Sequence, residues 1–223
     1  MKVILIHGND NEKSSLRLKK LVDEAKRRNW RISRLDKQKK DILDELSSEE
    51  LFSQERIFLI EDLPLLTKRV VTWIDKNRKR SGNILIYSNK IISSEGLKSL
   101  PKIDKKEEFK IPFVVFEFLE SFYPKNVKKA ISTLHKALKN SPPELILAML
   151  AKHLKHLYIA QNSPEALDFP TWRKRKVIQQ SSKFKSGKLE EVIEKLSEID
   201  YLSKTSDFEL SDLLDFLIAT YLE

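Results

Sequence analysis

Short apolar runs alternate with helical patterns in the first half of the chain. Residues 3–6, 57–60 and 84–87 are apolar runs of strand length, which is typical of parallel strands buried on both faces. Weaker strands are predicted at residues 30–35 and near Phe109. Helical periodicity separates the strands at residues 12–28, 41–46, 65–80 and 94–100. Along the first helix, Leu16, Leu21, Val22 and Ala25 are predicted to share the buried side. The pattern predicts a parallel sheet with helices on both faces.

The second half of the chain contains only helical patterns. Apolar residues recur at helical spacing in six blocks, at residues 113–123, 126–139, 143–160, 171–184, 188–203 and 207–222. Prolines and one glycine separate the blocks, as is usual between helices. We therefore predict a bundle of five or six helices. The change of pattern near residues 105–112 predicts two domains, residues 1–110 and residues 111–223.

Composition narrows the classes of protein that remain. A chain of 223 residues allows one large domain or two small ones. The absence of cysteine excludes disulfides, thiolate metal sites and thiol nucleophiles. No apolar run approaches the roughly 20 residues that a membrane span needs. We expect a cytoplasmic protein that does not enter a membrane.

Charge is distributed unevenly. The formal net charge is +9, with +8 in residues 1–110, +8 in residues 111–187 and −7 in residues 188–223. Basic surface attracts polyanions such as nucleic acid, although a basic surface can also serve only to keep a protein soluble. The acidic C-terminal segment is predicted to pack against a basic neighbour, in this chain or in a partner subunit.

The first strand, turn and helix stand where a phosphate-binding P-loop would lie. That motif, G-x-x-x-x-G-K-[ST], cradles phosphates with backbone N–H groups and a lysine. Gly8 fits the motif, but Lys13 occupies the position of the second glycine and Ser14 that of the lysine. Asp10 and Glu12 would place negative charge beside a phosphate. The sequence predicts a degenerate nucleotide site that does not bind ATP, and no cofactor.

The remaining candidates for chemistry are weak. Glu61 and Asp62 follow a buried strand and resemble the acidic end of a Walker B strand, but their order is unusual, and a solvated turn is favoured. Ser88 and Asn89 follow the third apolar strand, where ATPases often carry a polar residue that senses phosphate. Asn89 can equally be an ordinary turn residue. His153 and His156 could share a helix face; a surface or interface pair is favoured over zinc. We expect no metal site.

Two features are candidates for binding to a macromolecule. Leu51 and Phe52 form an apolar pair between polar segments, just before the second buried strand. The pair is either core or an exposed wedge of the kind that anchors an interface. Trp172 precedes four cations at the start of a helix: Arg173, Lys174, Arg175 and Lys176. Trp172 is predicted to pack against the bundle or a subunit; the alternative is a basic edge that faces phosphate.

Taken in order, these segments resemble the delta subunit of the bacterial DNA polymerase III clamp loader. Residues 4–10 are similar to that family's degenerate first strand and loop, and residues 51–61 to its Leu-Phe-Ser…Arg segment with the strand that follows. Residues 118–122, 130–135, 149–157, 172–176 and 199–205 are similar to its helical collar domain. The resemblance implies a P-loop/AAA+-like parallel sheet with a degenerate nucleotide site, followed by an all-α collar.

The resemblance also implies a non-catalytic role. Such a subunit binds and helps to open the DNA sliding clamp for loading onto primed DNA, as part of the DNA polymerase III holoenzyme. Leu51 and Phe52 match the pair with which the family grips the clamp. The implied partners are the sliding clamp (beta subunit), the gamma/tau and delta-prime subunits through the collar, and primer–template DNA through the assembled loader, with Arg173, Lys174, Arg175 and Lys176 as a DNA or subunit contact.

Family members are usually longer than this chain, with a helical lid domain before the collar. Here residues 109–112 lead almost directly into the collar-like helices, which implies that the lid is lost or reduced. Two other classes of protein stay open on the sequence. One is a divergent P-loop ATPase or nucleotide kinase, and the other is a free-standing basic DNA-binding protein.

Overall fold

The computed structural model describes residues 1–36, 42–48 and 55–223. Contacts divide the chain into two units, Met1–Ile111 and Pro112–Glu223. The first unit is an α/β structure with a parallel sheet, and the second consists of helices. The predicted fold class, an α/β region followed by an all-α region, is confirmed. None of the described helices combines the length and the apolar character that crossing a bilayer would require.

A sheet of five parallel strands forms the centre of the first unit. The strands are β1 (Lys2–Gly8), β2 (Arg31–Leu35), β3 (Arg56–Ile60), β4 (Asn83–Ser88) and β5 (Lys105–Phe109). Their order across the sheet is β2-β3-β4-β1-β5. The described helices of this unit are α1 (Asn11–Arg27), α2 (Ile42–Ser47), α3 (Lys68–Lys76) and α4 (Ser94–Lys98). One of these helices lies between each strand and the next strand along the chain. Parallel strands require a crossover connection of this kind.

Both faces of the sheet are covered, because side chains alternate along each strand. Val3 and Leu5 of β1 belong to a buried cluster that includes Val70 and Ile74 of α3. Ile6 belongs to a second cluster, together with Leu59, Leu85 and Ala25 of α1. The apolar runs of β1, β3 and β4 are thus buried on two sides, as their sequences predict.

The face of α1 that packs on the sheet does not include Leu16, contrary to the prediction. Ser14 and Ala25 are buried, and Leu18 and Leu21 pack on the second cluster, whereas Leu16 is 52% exposed. Residues 14, 18, 21 and 25 follow the three- and four-residue spacing of one helix face. The prediction that Leu16 lies on the buried side is wrong, because residues two apart on a helix, such as Leu16 and Leu18, point about 160° away from each other.

The helix predicted at residues 65–80 is shorter in the structure. A 3-10 turn covers Leu63–Leu65, and α3 runs only from Lys68 to Lys76. The Thr67 hydroxyl accepts a hydrogen bond from the Val70 N–H and so caps the start of the helix. The Asn77 side chain donates to the Trp73 carbonyl and closes its end. Local capping therefore sets bounds that apolar periodicity alone does not show.

An ion pair joins α1 to the edge strand β5. Arg17 binds the Glu107 carboxylate at two points, Nε to Oε2 at 2.6 Å and Nη2 to Oε1 at 2.9 Å. Lys105 lies 2.9 Å from the same carboxylate. The hydrogen bonds from Arg17 lower the pKa of Glu107 to about 2. Two-point contacts of this kind also fix the orientation of both side chains.

Replacing Glu107 by Gln is expected to lower the free energy of unfolding by about 1–2 kcal/mol at pH 7, since a hydrogen-bonded, half-buried ion pair is lost. The folded-state pKa is depressed, so this stabilisation is present above the unfolded pKa of 4.5 and is lost as the pH falls toward about 2. Urea unfolding at pH 7 and pH 3 measures both effects. Glu108→Gln is the control, since the Glu108 carboxylate lies 3.0 Å from the exposed Lys110; a loss equal to that of Glu107→Gln would contradict the assignment.

Six helices form the second unit. They are α5 (Phe113–Ser121), α6 (Val127–Leu138), α7 (Pro143–Asn162), α8 (Thr171–Ser181), α9 (Lys188–Thr205) and α10 (Leu210–Tyr221). Helix α7 is the central element, because it packs against each of the other five. Leu150, Leu154 and Leu157 of α7 are fully buried. Phe118 and Phe122 meet edge to face, with ring centroids 6.1 Å apart, an arrangement that aromatic rings prefer in cores.

Candidate functional site

The loop after β1 lies close against the end of β5. The Asp10 N–H donates to the Phe109 carbonyl at 3.1 Å, and the Asn9 side-chain oxygen accepts from the Ile111 N–H at 3.0 Å. Gly8 has φ of +150°, and a Cβ atom there would lie 1.8 Å from the Phe109 carbonyl oxygen. Only glycine fits this approach. The path of the loop is thus set by β5.

Asp10 caps α1 with its own carboxylate. The side chain is buried, its Oδ1 accepts from the Lys13 N–H at 3.0 Å, and its Oδ2 lies 3.4 Å from Lys13 Nζ. Helix N-termini bind anions through free N–H groups and the helix dipole. Here an internal carboxylate takes the place of that anion and engages both the N–H and the ammonium group of Lys13. A phosphate at this point would meet negative charge.

Ser14, which stands at the position of the P-loop lysine, is also turned inward. It is fully buried, and its hydroxyl lies 3.3 Å from the Asn11 carbonyl oxygen and 3.3 Å from the Tyr87 hydroxyl on β4. These contacts make Ser14 part of the packing between α1 and the sheet. A buried hydroxyl at this position cannot neutralise a phosphate as the P-loop lysine does.

The two acidic residues after β3 make contacts close to the end of that strand. Glu61 is exposed, with its carboxylate 3.8 Å from Arg34 at the end of β2. The Asp62 carbonyl accepts from the Leu65 N–H in the 3-10 turn. Ser88 forms a local turn, in which its hydroxyl accepts from the Lys90 N–H. Among the described residues, no group of three or more His, Asp or Glu side chains could hold a metal ion.

A cavity of about 540 Å³ lies at the other end of the strands. It is lined by Lys2, Ile57 and Asn83, near the starts of three strands, and by Arg28 and Trp30, which follow α1. Ligands of open parallel sheets bind beyond the carboxyl ends of the strands. This cavity is at the amino ends of the strands and is therefore separate from the loop that follows β1.

Leu51 and Phe52 lie outside the described residues. Helix α2 ends at Ser47 before them, and β3 begins at Arg56 after them. On the two described flanks, the Arg56 guanidinium donates to the Ser48 hydroxyl at 3.1 Å. The role of the pair in clamp binding stays a prediction.

The basic residues of α8 differ in their surroundings. Arg173 stacks over the Phe169 ring at 4.0 Å, and Lys176 lies 3.3 Å from the Glu120 carboxylate on α5. Lys174 is half-buried and Arg175 is exposed. Trp172 is 65% exposed, so the prediction that it packs against the bundle is wrong, while its contact with a subunit stays a prediction. The helix turns Val177 and Gln180 inward instead, which leaves the indole on the solvent side with Arg175.

His153 and His156 belong to the contact between α7 and α8. His153 Nε2 lies 3.0 Å from the side-chain oxygen of Gln180, while the Gln180 amide donates to the Leu119 and Phe122 carbonyls at 2.8 and 2.9 Å. Because both amide protons are used, His153 is the donor. Burial lowers the pKa of His153 to about 4, so the ring is neutral at pH 7. His156 meets the Phe169 ring edge to face.

Comparison with known proteins gives a match for the helical unit. Residues 114–221 match the family model of the DNA polymerase III delta subunit, C-terminal domain. No curated protein matches the chain.

Two solved structures are similar over nearly their whole length. The Bacillus subtilis DNA clamp loader delta protein has 15% identity and a TM-score of 0.40, with 100% of this chain and 95% of that chain covered. A DNA polymerase III gamma subunit-related protein from Thermotoga maritima has 13% identity and a TM-score of 0.31, with 99% and 93% covered. The helical unit of this chain is thus similar to the C-terminal domain of the DNA polymerase III delta subunit.

Proposed function

We propose that this chain is a non-catalytic clamp-loader subunit of the DNA polymerase III holoenzyme, which binds the DNA sliding clamp and helps to open it for loading onto primed DNA. The match of residues 114–221 to the delta C-terminal domain carries the proposal. The α/β unit that precedes this domain has the architecture in which an ATPase would hold its nucleotide.

The geometry of the first loop supports a subunit without ATPase activity. An ATPase needs free N–H groups, a lysine and a metal-holding hydroxyl around the phosphates. Here Asp10 engages both the N–H and the ammonium group of Lys13, and the position of the P-loop lysine is taken by Ser14, which is buried against Tyr87. A divergent ATPase or nucleotide kinase would have to expel the buried Asp10 carboxylate before a phosphate could enter.

Clamp opening would then rest on binding energy alone. The front unit grips the clamp through Leu51 and Phe52, and a subunit that binds the opened clamp more tightly than the closed one shifts the equilibrium toward opening. An apolar–aromatic pair is the kind of anchor that contributes most of the energy of an interface. No covalent step is required of this chain.

The helical unit would hold this chain beside the gamma/tau and delta-prime subunits, as the collar of the loader. In the assembled loader, the exposed Arg175 and its neighbours on α8 would contact a subunit or the phosphates of primer–template DNA. Phosphate contacts by lysine and arginine position DNA without reading its sequence, which suits a loader that acts at any primed site.

We expect the purified chain to bind its own organism's sliding clamp equally well with and without ATP. The Leu51→Ala/Phe52→Ala double variant is expected to bind about 30-fold or more weakly, because loss of a hot spot costs about 2 kcal/mol or more. Surface plasmon resonance with immobilised clamp measures both. Leu16→Ala, which removes a 52%-exposed leucine from the same unit, is the matched control and should bind like the wild type.

Circular dichroism must show that the double variant is folded. Wild-type chain that does not bind the clamp would refute the clamp-binding role. Tight, salt-dependent binding to DNA in that case would favour a free-standing DNA-binding protein. ATP binding that depends on Lys13 or Asp62 would favour the divergent ATPase.

A further inference from the structure

The cavity at the amino ends of the strands lies on the side of the sheet that α1 covers. Lys2, Ile57 and Asn83 occupy the same level of three neighbouring strands, because Asn83 of β4 pairs in register with Lys2 of β1 and with Ile57 of β3. Two residues further along their strands, Ile4 and Leu85 form a second pair on the same face. The part of the lining that comes from the sheet therefore has two levels, a partly polar one at the strand starts and an apolar one beneath it.

Helix α1 and the residues that follow it form the other side of the cavity. Leu21 and Ala25 are four residues apart, so they share the helix face that packs on the second buried cluster. Glu24 and Arg28 are also four apart, and their side chains form an ion pair at 2.5 Å. The Arg28 guanidinium lies over the Trp30 ring, 5.6 Å from its centre, as a cation–π contact. An aromatic ring and a guanidinium thus lie side by side in the lining.

Positive charge is in excess among the residues that line the cavity. The lining has three cations and two carboxylates: Lys2, Arg28, Arg80, Glu24 and Glu55. A guanidinium has five N–H donors, so Arg28 can bind a second anion while it is paired with Glu24. Pockets of about 300–1,000 Å³ with apolar walls and a few polar groups are typical of sites for small molecules. The cavity, at about 540 Å³, therefore suits a ligand with an apolar body and a negative charge.

We propose that this cavity is a binding site for a small aromatic carboxylate. The flat ring lies on the apolar level formed by Ile4 and Leu85, beside Trp30, because aromatic rings pack well on one another and on apolar side chains. The carboxylate faces Lys2 and Arg28, which are exposed at the strand starts and at the end of α1. Charge-assisted hydrogen bonds of this kind are stronger than neutral ones. The inference does not depend on clamp binding.

An NMR titration of the isotope-labelled full chain with 2-naphthoate tests the proposal. Amide shifts are expected at the starts of β1, β3 and β4 and at the end of α1, with a Kd of about 1 mM or below, as is usual for so small a ligand. The uncharged analogue 2-naphthylmethanol should bind at the same place about tenfold more weakly, because it lacks the charge. High salt should weaken the binding of 2-naphthoate and leave that of 2-naphthylmethanol unchanged.

The double variant Lys2→Gln/Arg28→Gln tests the two cations. It should bind 2-naphthoate about tenfold more weakly than the wild type and 2-naphthylmethanol equally well, a difference that a general loss of structure would not produce. Both side chains are exposed, so the variant is expected to fold. Lys19→Gln/Lys20→Gln is the matched control, since it removes two cations from exposed positions of α1 outside the lining. It should bind both compounds like the wild type.

Several results would overturn the proposal. One is the absence of amide shifts at 2-naphthoate concentrations well above the expected Kd. Another is a set of shifts at the loop that follows β1, or on the helical unit, in place of the amino ends of the strands. Equal binding of 2-naphthoate and 2-naphthylmethanol to the wild type would show that the cavity does not select an anion. Equal weakening of 2-naphthoate binding in the two double variants would show that Lys2 and Arg28 have no particular part in it.

Discussion

Replacing Gly8 by alanine is expected to destabilise the α/β unit by at least about 3 kcal/mol, a large part of the stability of a typical domain. The added Cβ would lie 1.8 Å from the Phe109 carbonyl oxygen. That oxygen also accepts the Asp10 N–H, so it cannot move without breaking the end of the β1–β5 pairing. The backbone strain at φ of +150° adds to the clash.

Urea unfolding followed by circular dichroism measures the loss. Gly187→Ala is the matched control, since Gly187 also has a positive φ, +79°, but nothing lies within 4 Å of the added Cβ. Only the left-handed backbone penalty, about 1–2 kcal/mol, is expected there. Equal losses in the two variants would mean that the approach of Gly8 to β5 costs nothing.

The stability of the helical unit is expected to fall between pH 6.5 and pH 4 through protonation of His153. Burial lowers the pKa of His153 to about 4, while the unfolded chain takes up this proton near pH 6.5. The unfolded state then binds more protons, and stability decreases with falling pH by up to about 3 kcal/mol. Above pH 6.5 the ring is neutral in both states, and the effect is absent.

His153→Gln removes the titrating ring and keeps an N–H that can donate to Gln180. Its unfolding free energy should therefore depend less on pH between 6.5 and 4 than that of the wild type. Burial also lowers the pKa of His7 and His156, so the difference between the two proteins, rather than the wild-type slope, reports on His153. An imidazole NMR titration that gave His153 a pKa near 6.5 would contradict the prediction.

Apolar runs and helical periodicity were sufficient to predict the fold class. The strands β1, β3 and β4 could be predicted because burial on both faces leaves little room for polar residues. Helix α3 is shorter than predicted because Thr67 and Asn77 cap its ends. Which residues of α1 are buried was predicted wrongly for Leu16. Capping and burial both depend on neighbouring residues, which apolar periodicity does not show. The packing of Trp172 was predicted wrongly for a similar reason. The local sequence does not distinguish an exposed aromatic side chain at the start of a helix from a buried one.

The candidate sites were predictable only in part. An aspartate before a helix is a usual cap, and Asp10 could have been recognised as one from its sequence. The burial of Asp10 could not have been predicted from the local sequence. It depends on β5, which lies against the loop and is about a hundred residues away in the chain. The clamp-binding role of Leu51 and Phe52 stays a prediction.

The Asp10 cap has a consequence for how this protein responds to the energy state of the cell. A ligand stabilises a fold, or shifts it between two shapes, only in proportion to its affinity for them. With the anion supplied internally, we expect the loop and α1 to keep one arrangement whether ATP is plentiful or exhausted. If the proposed function holds, the timing of its encounters with other molecules would then be imposed from outside, by partners whose own shapes change.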